Sequence, residues 1–69
     1  MFYAQIGRFE EGKEEAVLRY QVYNVSEEGI RAELEKVLRT GDSVFIWVGN
    51  YYGGEQFEML EEIDRWIVN

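Results

Sequence analysis

EQFEMLEEIDRWIV, residues Glu55 to Val68, is the stretch whose reading decides the fold of this chain. Met59, Leu60, Ile63, Trp66 and Ile67 recur at i, i+1, i+4, i+7 and i+8, the spacing that lines one face of an α-helix. Read this way, the chain closes with an amphipathic helix from about Glu55 to Val68. That helix carries Glu55, Glu58, Glu61, Glu62 and Asp64 against Arg65 alone. Glu55, Glu58 and Glu62 then lie along one side, separated by axial steps of about 4.5–6 Å from the helix rise. Such steps match the scale of phosphate spacing along a nucleic-acid strand.

Upstream, VFIWVGNYYGG (Val44 to Gly54) opens with five apolar residues and ends in glycines. The run Val44 to Val48 reads as a strand, and GNYYGG as the loop that leads into the C-terminal helix.

The N-terminal run alternates with period two. Phe2, Ala4 and Ile6 interleave with Tyr3, Gln5 and Gly7; Ala16, Leu18, Tyr20 and Val22 interleave with Val17, Arg19, Gln21 and Tyr23. Two strands joined as a hairpin follow from that pattern. A three-residue loop Glu10-Glu11-Gly12, with Gly12 left-handed, predicts Ile6 opposite Ala16, Ala4 opposite Leu18 and Phe2 opposite Tyr20.

Ser26 then stands as a helix N-cap, with Glu27 and Glu28 in the first turn where the helix dipole favours anions. Ile30, Leu34, Val37 and Leu38 form the apolar stripe. Lys36 and Arg39 fall in the last turn, and Gly41 is the expected left-handed stop. Glu27–Arg31, Arg31–Glu35 and Glu35–Arg39 are spaced for ion pairs along this helix.

The expected order is β-β-α-β-α in one domain spanning residues 1–69. The expected fold is an α+β two-layer sandwich: a three-stranded sheet, order 2-1-3, with two helices on one face. A 1-2-3 strand order is the second choice. Val44, Ile46 and Val48 fit the helix-packed face. Phe45 and Trp47 then lie on the opposite face with Tyr3, Val17, Arg19 and Tyr23, an aromatic patch of interface composition. A C-terminal helix or a Tyr51-Tyr52 loop folded over that patch would make it core instead.

Composition narrows the chemistry. The 69 residues contain no cysteine and no histidine, so thiolate and imidazole chemistry are excluded. Ser26 is a cap, and Thr40 and Ser43 have no His or Cys to activate them. The paired acids Glu10/Glu11, Glu14/Glu15, Glu27/Glu28 and Glu61/Glu62 read as solvated faces, because adjacent side chains diverge. No acid-rich calcium loop is spaced around a central glycine. GNYYGGEQ lacks the phosphate-loop order and its lysine. The expectation is a non-enzymatic protein with no catalytic residue, no cofactor and no metal.

Net charge is −7, from 14 acids and 7 bases. That balance disfavours direct nucleic-acid binding and suits a basic protein partner. No stretch approaches the roughly 18 apolar residues of a membrane span. The start shows no basic region before an apolar core, so a cytoplasmic protein is expected.

In size, charge and α+β character the chain is similar to short acidic inhibitors encoded by phages, anti-CRISPR proteins among them. That likeness implies a small protein-binding module that inhibits a basic nucleic-acid-binding partner, as a nucleic-acid mimic. The partner-binding residues on this reading are Tyr3, Arg19, Tyr23, Phe45, Trp47, Tyr51, Tyr52, Glu55, Glu58, Glu61 and Glu62. The alternatives are a homo-oligomer (a homodimer through the open sheet face), an antitoxin-like partner, or an engineered chain without natural activity.

Overall fold

The computed structural model describes residues 1–69. Its elements run β1 (Phe2–Arg8), β2 (Val17–Asn24), α1 (Glu27–Glu35), β3 (Ser43–Gly53) and β4 (Gln56–Ile67). The fold is α+β, as expected, but its architecture departs from the expected three strands and two helices. The C-terminal stretch is a 12-residue strand, and the molecule is a four-stranded antiparallel sheet, order β2-β1-β3-β4, with a single helix.

Two features turn this stretch into a strand. Gly53 pairs with Gln56, which leaves Gly54-Glu55 as a two-residue hairpin loop. Gly54 takes φ 59° at its first position, where the commonest hairpin turns require positive φ. The second feature is irregular pairing. Asp64 and Glu62 pair with the consecutive residues Ile46 and Trp47, and Glu61 and Met59 with Val48 and Gly49. Ile63 and Leu60 are thus extra residues, each shifting the alternation of β4 by one. Two bulges in one strand spread its apolar residues at spacings of three, so Leu60, Ile63 and Trp66 imitate a helical face.

The first hairpin is paired differently from the expected register. Ile6 lies opposite Tyr20, Ala4 opposite Val22 and Phe2 opposite Asn24. The chain does turn at Gly12 (φ 84°), where the Lys13 amide donates to the Glu10 carbonyl at 3.1 Å. Residues 9–16 nevertheless stay outside the ladder, so the connection is longer than three residues. Gly7 pairs with Leu18, which makes Arg19 the extra residue of a bulge. One extra residue exchanges the faces of everything before it. Leu18 consequently shares the face of Gly7, and Val17 that of Arg8, the reverse of the expected assignment.

Ser26 caps α1 by accepting a hydrogen bond from the Gly29 amide at 3.0 Å. The helix ends at Glu35, six residues before Gly41, and its last turn carries no base. Of the three expected ion pairs along it, Arg31 with Glu27 forms at 3.1 Å. Arg31 turns its other side to Asp64 of β4, at 3.0 Å.

The core lies between α1 and one sheet face. Ala4, Ile6, Ile30, Leu34, Val44 and Ile46 are fully or almost fully buried there. Phe2, Tyr20, Val22, Val37, Leu38, Ile63, Trp66 and Val68 pack around them. β4 thus covers the far side of the core with its inward residues, the task expected of a second helix.

Asp42, fully buried, ties the layers together. Its carboxylate accepts from the Arg19 guanidinium at 2.6 and 3.3 Å and from the Arg39 amide at 2.7 Å. The same guanidinium donates to the Val37 carbonyl at 2.7 Å. Burial pushes the Asp42 carboxyl up. The Arg19 and Arg39 hydrogen bonds and the nearby positive charge outweigh that and hold it below its ordinary value.

Candidate functional site

The sheet has a second face that no helix covers. Pairing decides which side chains it holds, because residues directly opposite in a ladder share a face. Tyr3 pairs with Tyr23 on one side and Trp47 on the other; Gln5 pairs with Gln21 and Phe45. Cross-strand neighbours therefore become ring neighbours. Tyr3 lies 4.7 Å from Tyr23 and 5.8 Å from Trp47, and Phe45 lies 5.8 Å from Trp47, all stacked. These are separations at which aromatic pairs attract.

The end of the β3–β4 hairpin extends past β1 and brings further rings onto this face. Phe57 lies 5.4 Å from both Tyr3 and Tyr23, and Tyr51 lies 5.1 Å from Tyr23. Gly49 permits this approach. A Cβ there would overlap the Glu58 carbonyl oxygen and come within 2.9 Å of the Phe57 ring. Phe57 was not singled out in the sequence, because a helical Phe57 has no reason to meet Tyr3. The signal that identifies it is the Gly-x hairpin loop at Gly54-Glu55, flanked by aromatics on both strands.

The face divides into two parts. Near the hairpin end, Tyr3 is 4% exposed. Its hydroxyl donates to Gln21 Oε1 at 2.7 Å and accepts from Gln5 Nε2 at 2.8 Å. Near the other end, Phe45 lies between two shallow hollows of about 280 and 220 Å³. Around them Phe9, Leu18 and Ile67 are 65%, 50% and 63% exposed. Arg65 lies over the Phe45 ring at 5.5 Å and chelates Glu62 at 2.7 and 2.8 Å. Hydrogen bonding to Arg65 holds the Glu62 carboxyl below its ordinary value.

The expected partner-binding residues are therefore only partly gathered. Tyr3, Tyr23, Phe45, Trp47 and Tyr51 share the uncovered face. Arg19 does not: the bulge turns it toward Asp42 and the segment after α1. Tyr52 is exposed, and its hydroxyl donates to Glu58 at 3.3 Å. The acids do not form a helical row. Glu55 lies in the hairpin turn and borders the aromatic cluster. Glu62 pairs with Trp47, on the uncovered face. Glu58 and Glu61 pair with Asn50 and Val48, which places both on the opposite side of β4. The phosphate-like spacing along a helix is thereby overturned.

No three acidic side chains converge where they could hold a metal ion. No helix is long and apolar enough to cross a membrane. The outer edges of β2 and β4 are unpaired. Bulges and charges such as those of β4 are the devices that keep an edge from pairing indiscriminately. No protein-family model, curated protein or solved structure matches the chain.

Proposed function

We propose that this is a cytoplasmic, non-enzymatic protein-binding module whose uncovered sheet face docks on a partner with a basic surface. On this reading it inhibits a nucleic-acid-binding protein by occupying that surface. The observation that carries the reading is the cluster of exposed Leu18, Phe9 and Ile67 around the partly buried Phe45 and Trp47 on a face that no helix covers. Exposed contiguous apolar surface is costly in water and is characteristic of contact sites. The excess of acids supplies the charge preference, and it steers encounter more than it holds the complex.

Immobilised protein and a Phe45→Ala/Trp47→Ala variant, exposed to the same cell extract, test the reading. A basic protein retained by the first and lost by the second supports it. Equal retention by both removes the face from the interaction. For an identified partner, association should slow with salt, and more so for the wild type than for a variant with Gln at Glu55, Glu58, Glu61 and Glu62. Identical salt slopes would remove the acids from recognition.

A second reading, self-association through the same face, is favoured by one observation. The end around Phe45 carries the mutually neutralised Arg65–Glu62 pair, so two acidic copies meet there with the least repulsion. Sedimentation of the wild type and Leu18→Glu distinguishes it: a dimer lost in the variant is expected, and a monomer at all concentrations rejects it.

A further inference from the structure

We propose that the notch formed by Tyr3, Gln21, Tyr23, Glu55, Phe57 and Met59 is a binding site for a guanidinium group, the side chain of a partner's arginine. The notch has a volume of about 250 Å³ and opens beside the hairpin turn. Its lining combines three elements that a planar organic cation requires. Tyr23 and Phe57, both partly exposed and tilted to each other at 5.4 Å, provide aromatic surface on which a cation can lie, and Tyr3, 4% exposed and stacked between Tyr23 and Trp47, forms the floor beneath them. Glu55 provides a carboxylate, and it is the only charged residue of the lining. Gln21 provides an amide whose oxygen already accepts from Tyr3 and is held in place by that bond.

No lysine or arginine of the chain lines the notch, so Glu55 has no cation of its own there. The contrast with neighbouring acids is direct. Glu62 is chelated by Arg65, Asp64 meets Arg31, and Glu58 accepts from Asn50 and Tyr52, whereas Glu61, which also has no cation, lies on the opposite side of β4 away from the rings. Guanidinium is preferred to ammonium because it is planar, stacks on aromatic faces and is more weakly hydrated. This assignment rests on the proposed basic partner only for the source of the arginine.

The test needs no partner. The protein is titrated with propylguanidinium chloride and followed by backbone amide NMR, with butylammonium and the neutral propylurea as parallel arms at matched ionic strength. Shifts centred on Tyr3, Tyr23, Glu55 and Phe57 are expected with propylguanidinium, weaker with butylammonium and absent with propylurea. Glu55→Gln, an exposed turn substitution that leaves the fold intact, should weaken propylguanidinium binding about fivefold, and Phe57→Leu should do so to a similar degree. Equal shifts with propylurea, shifts centred elsewhere, tighter binding of butylammonium, or unchanged affinity in Glu55→Gln would each overturn the assignment. Failure of this titration leaves the partner reading standing, and failure to capture a partner leaves the notch standing.

Discussion

Ile46 and Trp47 are neighbours on β3 and point to opposite faces of one sheet, and the two faces are built on different terms. The Ile46 face has a fully buried aliphatic centre under α1, with Phe2, Tyr20 and Trp66 partly buried at its margin. The Trp47 face is aromatic, half-buried and covered only where the β3–β4 hairpin folds back onto Tyr3 and Tyr23. Branched aliphatic side chains fill the narrow space between a sheet and a helix at high density. Large flat rings instead shield one another by stacking, without a second layer. The comparison shows how a 69-residue chain obtains one true core and a second, unfinished one.

The largest effect should come from Ile46→Ala. A cavity in the sealed face costs about 3 kcal/mol, read from the shift of a urea unfolding curve. A loss below about 1 kcal/mol would mean that the face under α1 is not the core.

Next is Asp42→Asn, which leaves Arg19 without its charge partner. A loss of about 2 kcal/mol is expected, below the roughly 3–5 kcal/mol of a fully buried pair, because Arg19 is partly exposed. The pair also sets a pH dependence. The folded carboxyl lies below its ordinary value of 3.8. Its contribution is therefore fully present above that value and is lost as pH falls through the lower folded one. The substitution should flatten this acid limb, and an acid limb identical in both proteins would remove Asp42 as its cause.

Gly49→Ala sharpens the comparison at the hairpin. The new methyl group meets the Glu58 carbonyl and the Phe57 ring, at a cost of about 2 kcal/mol for overpacking. The loss should be local. Ring-current shifts on Tyr3 and Tyr23 should collapse while amide protection of Ala4, Ile6 and Ile46 persists. Unchanged aromatic shifts would show that the hairpin end does not depend on Gly49.

Trp47→Ala should have the smallest effect on folding, about 1.5 kcal/mol, because the ring keeps some contact with water on a face that no second layer seals and its stacking partners Tyr3 and Phe45 keep their other neighbours. Its effect on partner binding should exceed this. A folding loss equal to that of Ile46→Ala would make the uncovered face a second core and break the contrast.

Local signals were sufficient for part of this architecture. The period-two runs of β1 and β2, the apolar run of β3 and the Ser26 cap each rest on contacts within a few residues, so they were legible in the sequence. The half-buried aromatics Phe45 and Trp47 followed from the aliphatic alternation of Val44, Ile46 and Val48. Arg19 and the row of acids did not. Arg19 changes side because one residue is unpaired in β2. The acids scatter because their stretch is a bulged strand.

By itself, then, the sequence determined the composition of each surface: which residues seek a helix-packed layer, where one helix starts, and that neither thiol nor imidazole takes part. Only the tertiary structure decided that Glu55 to Val68 is mostly strand. Its amino acids satisfy a helical period and a twice-bulged strand almost equally well. The choice depends on whether β3 offers a free edge, and on whether a hairpin through Gly54 gives those backbone groups partners. Pairing across the ladder satisfies the β3 edge and brings Ile63, Trp66 and Val68 onto the core, contacts that no local window contains.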